Sequence, residues 1–402
     1  MDKMADVLGR AGAWCGQNKY LSAIKNAFQN FMPLTIAGAI GVLWCNVLVN
    51  DQTGLGLFFK PIMALDFLNP AFQAVNFCTI SCITVGITLG IAQEIGVWNM
   101  GAERAGYIPG LVGLAAWLSV TNTSHMVDGA KEAFTGIAGN ELGATGLFTG
   151  MIIGVLSVEL FCFFEKQDAL KIKMPEQVPP GVARAFEVLV PATITLIITA
   201  CIGSACYNLT GLYLNDVIKN GIQGPLGAVG ATIPGVMIIY LVIMLFWLVG
   251  IHGNNMLSAV KEALFTPLAL ENVEAFNKGE TPKNIINMYF LQMCGEFGGS
   301  GVTIGLVIAI MIFGKREDNK AIATLSLVPG LFNINETVTF GIPMVLNPIL
   351  GIPFVVAPLV TIIIGYVLTV IGFCPVACLT VPWTCPSLIF GSWQQVQILW
   401  VQ

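Results

Sequence analysis

Charge is what this sequence has least of. Of its 402 residues only 10% are Asp, Glu, Lys or Arg, where soluble domains carry about 25%. So thin a charged complement excludes an ordinary water-soluble domain. It also leaves no basic stripe for nucleic acid, so no nucleic-acid role is expected. Histidine is scarcer still, with two residues, His125 and His252. That excludes a zinc cluster built on imidazole, and no metal site or cofactor is expected. The 11 cysteines stand singly, mostly inside apolar runs and without a CxxC pair. They read as small buried hydrophobes. The opening stretch, MDKMADVLGRAGAWCGQNKY, lacks a cleavable signal pattern and reads as an amphipathic cytoplasmic lead-in.

What the chain has in abundance is apolar surface. It is 55% hydrophobic, with a mean hydropathy of +0.79. Gly 44 and Pro 20 are high, as expected where helices pack closely or break within a bilayer. The fold class is therefore an all-α polytopic membrane protein. Spans of about 20 residues are expected at 28–49, 73–93, 105–123, 145–164, 186–207 and 232–250. The net charge of -5 decides little; the placement of the cations decides more. With the N-terminus inside, the inner segments up to residue 231 carry nine cations: Lys3, Arg10, Lys19, Lys25, Arg104, Lys166, Lys171, Lys173 and Arg184. The outer loops carry three, Lys60, Lys131 and Lys219. That asymmetry fits a cytoplasmic N-terminus.

The segment EKQDALKIKMPEQVPPGVARAFE (165–187) is polar, basic and Pro-rich. It divides the chain into 1–185, a helical scaffold with its lead-in, and 186–402, which becomes irregular. There is no convincing internal repeat. Beyond 251, cations recur at Lys261, Lys278 and Lys283 and again at Lys315, Arg316 and Lys320. If both groups face the cytoplasm, an even number of crossings separates them, yet only one good span, about 299–314, lies between. The stretch NIINMYFLQMCGEFGG (284–299) must then supply the return, or something re-enters. Parity is equally difficult around 325–350. Broken segments are tolerated at membrane depth only where protein or a cavity surrounds them, and transporters place substrate sites there.

Two motifs carry ionisable groups in such places. In WLVGIHGNNMLSAV, His252 follows a strong span, flanked by Gly250, Gly253, Asn254 and Asn255. Gly and Asn tolerate non-helical backbone, which favours a broken helix. His252 is either an interfacial helix cap or part of a polar lining whose imidazole and amides bind hydroxyls. In FNINETVTFGIPMVLNP (332–348), Glu336 follows Asn333 and Asn335, and Pro343 and Pro348 break the next apolar run. A carboxylate at membrane depth costs roughly 2.5–3.5 kcal/mol on insertion scales, so its place there needs a purpose. It can accept a ligand hydroxyl or take its proton; the plain alternative is a surface or capping carboxylate. Glycines 295, 298, 299 and 301 in GEFGGSGVTIGLVIAI read as close packing, and Glu296 beside them is a second buried-carboxylate candidate. Trp383, between two prolines in VPWTCPSLIFG, either stacks on a sugar ring or belongs to an interfacial aromatic belt.

Taken in order, WLVGIHGNNMLSAV, TPLALEN, GGSGVTIGLVIAI, FNINETVTFGIPMVLNPILGIPF and VPWTCP resemble the membrane subunit EIIC of phosphoenolpyruvate-dependent sugar phosphotransferase systems. The branch is the lactose/cellobiose/diacetylchitobiose family. KNAFQNFMPLTIAGAI (25–40) and VPPGVARAFEVLVPA (178–192) resemble its N-terminal half, and the likeness runs from about residue 18 to 391. The resemblance implies about ten transmembrane helices, a homodimer built by the first half, and two re-entrant hairpins in the C-terminal half around the sugar. It implies a multi-pass protein of the bacterial cytoplasmic membrane. The substrate would be a β-linked disaccharide of the cellobiose, lactose or diacetylchitobiose class. Its 6-hydroxyl would receive phosphate from a phosphocysteine of a cytoplasmic EIIB, itself charged through EIIA, HPr and enzyme I. His252 and Glu336 would act at that hydroxyl. Asn335, Asn333, Asn254, Gly253 and Trp383 would join them in binding the sugar. The family continues further past PWT, so a last helix that is short or missing is expected from an end at Gln402, with no EIIB-like domain fused. Composition alone also fits a proton-coupled sugar symporter titrating Glu336, or a channel or sensor on the same scaffold.

Overall fold

The structure, a computed structural model, describes residues 2–51, 55–125, 134–175, 177–342, 344, 347–379, 383 and 385–386. The stretch after Trp383 that bears on a last span therefore lies largely outside the described residues, as does Pro343. The helices that build the core and the site run in order as α1 (Asp2–Gln17), α2 (Lys19–Leu43), α3 (Ile83–Met100), α4 (Ile108–Val120), α5 (Ala144–Glu165), α6 (Pro180–Thr210) and α7 (Ile233–Leu248). They continue as α8 (Gly253–Met256), α9 (Ser258–Asn277), α10 (Met288–Gly295), α11 (Thr303–Phe313), α12 (Glu317–Leu331), α13 (Glu336–Gly341) and α14 (Pro348–Val370). One two-stranded ladder pairs Ser124 with Thr135 and His125 with Phe134.

Among the described residues four helices are long and apolar enough to cross a membrane: Lys19–Asn46, Ala144–Glu165, Pro180–Thr210 and Ile349–Val370. Two broken pairs, Lys60–Ser81 with Ile83–Met100 and Leu214–Gly230 with Ile233–Leu248, raise that to six. Two expected spans are shorter than the sequence suggests. The run at 105–123 yields a helix of 13 residues, because Gly106 at φ 51 interrupts it before Ile108. At 1.5 Å per residue such a helix falls short of the roughly 30 Å apolar core. The run at 299–314 yields 11 residues, because Gly299, Gly301 and Val302 all take left-handed backbone first.

The chain forms two compact units whose membership interleaves along the sequence. One comprises Asn18–Pro33 and Thr79–Leu226. Here α3, α4, α5 and α6 pack through small residues. A Cβ on Gly113 would meet that of Ala92 at 2.3 Å, and one on Gly96 would meet Pro109 at 2.2 Å. Such approach is how membrane helices associate where apolar burial offers no contrast with lipid. The ends of the 165–187 segment are pinned by charge. Glu165, only 3% exposed, accepts from Arg104 Nε at 2.8 Å and Arg184 at 2.9 Å, and Glu187 accepts from the same two arginines.

The other unit comprises Met1–Gln17, Leu34–Cys78 and Gly227–Gln402. Its core gathers Ile243, Trp247, Val307, Val338 and Phe354, from α7, α11, α13 and α14. Pro348 begins α14 and does not break it. It sits at the first turn, where its missing N–H costs nothing, and Asn347 caps the helix by accepting Ile349 N–H at 3.0 Å and Leu350 N–H at 3.2 Å. Lys261 departs from its expected place as a loop cation. It lies on α9, 6% exposed, in an ion pair with Glu296. It cannot be counted among charges that report membrane sidedness, and the crossing-parity argument loses that residue. Ile349 and Ile352 on α14 are left 81% and 67% exposed, an apolar surface suited to lipid.

Candidate functional site

The site is assembled where α7 breaks. After Trp247 the chain turns through Gly250 (φ 80) and re-enters a helix at Gly253. His252 is the N-cap of that short helix, and its Nδ1 accepts the Asn255 N–H at 3.2 Å. This bond fixes the neutral ring with its proton on Nε2. Nε2 points to Glu336 Oε1 at 3.6 Å. The imidazole lies against Trp247, with centroids 4.4 Å apart, and Trp247 is fully buried. One face of the ring is thus packed and one edge is turned to a carboxylate. Gly253 lets this segment sit on α7, since a Cβ there would meet the Ile243 carbonyl oxygen at 2.0 Å.

Glu336 opens α13, where a carboxylate suits the positive end of the helix. Its side chain is 48% accessible and that of His252 is 35% accessible. Both side chains are therefore partly accessible at adjoining positions of their own unit. The sequence left open a carboxylate at membrane depth and a surface or capping one; the structure sets Glu336 at the start of α13 with its side chain half accessible.

The two asparagines before Glu336 are both held by neighbouring protein. Asn335 is buried, and its Nδ2 donates to Ser300 O at 2.7 Å and to Thr339 Oγ1 at 3.1 Å. Asn333, in left-handed backbone at φ 62, accepts Gly298 N–H at 2.9 Å and donates to Trp383 O at 2.6 Å and Cys385 O at 3.0 Å. Both amides are thus engaged by protein. Asn254 donates to Ser300 Oγ at 2.7 Å, while its Oδ1 is buried without a hydrogen bond. A buried amide oxygen without a donor is uncommon. Trp383 is 44% exposed.

Ser300 joins these parts and was not singled out in the sequence. Its hydroxyl holds Asn254 and its carbonyl holds Asn335. The signal was the run of glycines around it, read as packing. Gly298, Gly299 and Gly301 all take positive φ, and a Cβ on Gly299 would meet that of Asn335 at 2.6 Å. The loop is shaped to the Asn335 side chain as well as to a helix. Glu296 is occupied by Lys261 and also accepts from Tyr240 Oη at 3.1 Å. Among the described residues no group of His, Cys, Asp and Glu could hold a metal ion.

Span-length helices, with polar and ionisable side chains gathered on broken segments between them, define a multi-pass membrane protein. The chain belongs to the phosphotransferase system EIIC family, whose model matches residues 25–358. It is 33% identical to the oligo-beta-mannoside-specific EIIC component of Bacillus subtilis, over 97% of this chain and 86% of that one. It is 29% identical to the cellobiose-specific EIIC component of Lactococcus lactis, over 96% and 90%. Among solved structures it is similar to the transporter ChbC, the IIC component from the N,N'-diacetylchitobiose-specific phosphotransferase system. That match has a TM-score of 0.87 at 29% identity and covers 96% of this chain and 89% of the other.

Proposed function

We propose that this chain is the permease of a sugar phosphotransferase system that moves a β-linked disaccharide of the cellobiose, lactose or diacetylchitobiose class. It presents the sugar 6-hydroxyl for phosphorylation. The observation that carries this is the facing pair of His252 Nε2 and Glu336 Oε1, 3.6 Å apart on two broken segments. A hydroxyl entering between them can accept from His252 Nε2–H while donating to the Glu336 carboxylate. As its oxygen attacks phosphorus, the P–S bond of the EIIB phosphocysteine breaks and the P–O bond forms. The hydroxyl proton passes to Glu336 and the cysteine leaves as thiolate. Such transfer needs position and charge balance more than covalent help. His252 aligns the hydroxyl, since its other nitrogen is already committed to the Asn255 N–H. Asn254 and the indole of Trp383 bind the rest of the sugar, the indole by stacking. Gly253 lets the His252 segment seat.

In this reading the protein lies in the bacterial cytoplasmic membrane with its N-terminus inside. It has about ten transmembrane helices, with two re-entrant hairpins in 186–402, and works as a homodimer held through 1–185. EIIB docks from the cytoplasm, supplied by EIIA, HPr and enzyme I. The names of the relatives support the sugar class. The test uses inverted vesicles with the soluble phosphotransferase proteins, phosphoenolpyruvate and labelled disaccharide. Phosphoenolpyruvate-dependent sugar phosphate is expected. Accumulation of unmodified sugar driven by a proton gradient, without phosphate ester, would overturn the proposal.

A further inference from the structure

Three asparagines give their amides to the backbone of one C-terminal stretch. Asn272 and Asn287 both donate to Ala377 O, at 3.1 and 3.0 Å. Asn333 donates to Trp383 O at 2.6 Å and to Cys385 O at 3.0 Å. The opposite end of the Asn333 amide accepts the N–H of Gly298 at 2.9 Å. That N–H belongs to a residue with little freedom, because Gly298 stands at φ 73 and a Cβ there would meet Ile304 at 2.3 Å. Both amide protons of Asn333 and its oxygen are therefore engaged. The left-handed backbone at Asn333 is one that Asn tolerates better than other non-glycine residues.

We propose that Asn333 is a positioning residue that sets Trp383 for the sugar and does not touch the sugar itself. This rests on the reading above that Trp383 stacks on the substrate. A side-chain amide holding the carbonyls of Trp383 and Cys385 restrains the backbone at both of those residues. The Cα–Cβ direction of Trp383 follows from that. The same amide is anchored to the glycine loop, which also holds Asn335 through Ser300 O. The indole and the start of α13 are thus referred to one short stretch of backbone. Asp at 333 would keep the size and the acceptor for Gly298, but would set lone pairs against two carbonyls.

The full-length protein in detergent tests this through a cycle of Asn333→Ala, Trp383→Ala and the double variant, read as disaccharide dissociation constants. Loss of one stacked aromatic weakens binding about two- to tenfold. Asn333→Ala is expected to weaken it by the same factor, and the double variant no further. Losses that multiply would overturn the proposal, since they mean independent contacts with sugar. In the phosphorylation assay Asn333→Ala should raise KM and leave kcat within about twofold, because a misplaced indole weakens uniform binding. A lowered kcat at unchanged KM would mark mere loss of folded protein and overturn it. Maleimide labelling of Cys385, with the other cysteines replaced, is the second readout. The rate should rise several-fold in Asn333→Ala and Asn333→Asp, and an unchanged rate would overturn the clasp. If Trp383→Ala alone leaves affinity unchanged, the sugar-stacking reading fails, while labelling still decides whether Asn333 holds the segment.

Discussion

Adding one methyl group at Gly253 should disable phosphorylation while leaving a folded protein. In the structure an alanine Cβ at 253 would lie 2.0 Å from the carbonyl oxygen of Ile243 and 2.8 Å from its carbon. Both are backbone atoms of α7, which cannot swing aside as a side chain can. The separation has to open from 2.0 Å to about 3.4 Å, so the short helix α8 must move by more than 1 Å. His252 is the preceding residue and caps that helix through Nδ1, so the imidazole moves with it and its 3.6 Å relation to Glu336 is lost. A misplacement of about 1 Å costs on the order of 100-fold in rate. Overpacking costs about 1–3 kcal/mol, and the helix preference of Ala over Gly returns up to about 1 kcal/mol. The net loss of stability is therefore modest. The assay is the initial rate of sugar phosphate formation at saturating sugar in inverted vesicles, normalised to folded protein. A fall of about 100-fold with a melting temperature within a few degrees of the parent is expected. A rate within twofold of the parent would refute the argument that the packing of Gly253 on α7 sets the site.

Other perturbations follow from single contacts. Lys261→Met leaves Glu296 in an apolar setting without its cation and should cost about 3–5 kcal/mol, read as a lowered detergent melting temperature; adding Glu296→Gln should recover part of it. Asn347→Ala removes the cap that accepts the Ile349 and Leu350 N–H groups and should cost about 1 kcal/mol, visible as a smaller melting shift with sugar specificity unchanged. Glu165→Ala strips the buried acceptor shared by Arg104 and Arg184, but Glu187 still pairs with both, so the cost should be only about 1 kcal/mol, with the larger effect on folded yield than on KM.

Much of this was legible in the sequence because membrane segments and broken helices have strong local signatures. The apolar runs at 145–164 and 186–207 reappear as Ala144–Glu165 and Pro180–Thr210. The Gly/Asn cluster around His252 marked a break, and the break is there. The pairing of His252 with Glu336 was reachable only through the family resemblance, since 84 residues of chain separate them and no local pattern encodes the contact. Lys261 looks like a loop charge in the sequence because nothing local marks its partners; only the fold brings Glu296 and Tyr240 to it. Ser300 was invisible for the converse reason, as a small polar residue among glycines carries no signal of its own. The roles of Asn333 and Asn335 turned on where their amides point, and that depends on the left-handed turns at 298–302 and 333.

In the proposed reaction the Glu336 carboxylate receives the proton of the hydroxyl that is phosphorylated. The most direct measurement compares the parent with Glu336→Gln, which keeps shape and hydrogen-bonding reach but cannot take a proton. Disaccharide binding to purified protein and phosphoenolpyruvate-dependent sugar phosphate in vesicles would be read on the same preparations. Removing such a base should lower the phosphorylation rate by about 100-fold or more, with sugar affinity changed far less. Phosphorylation by Glu336→Gln at the parental rate would contradict the account.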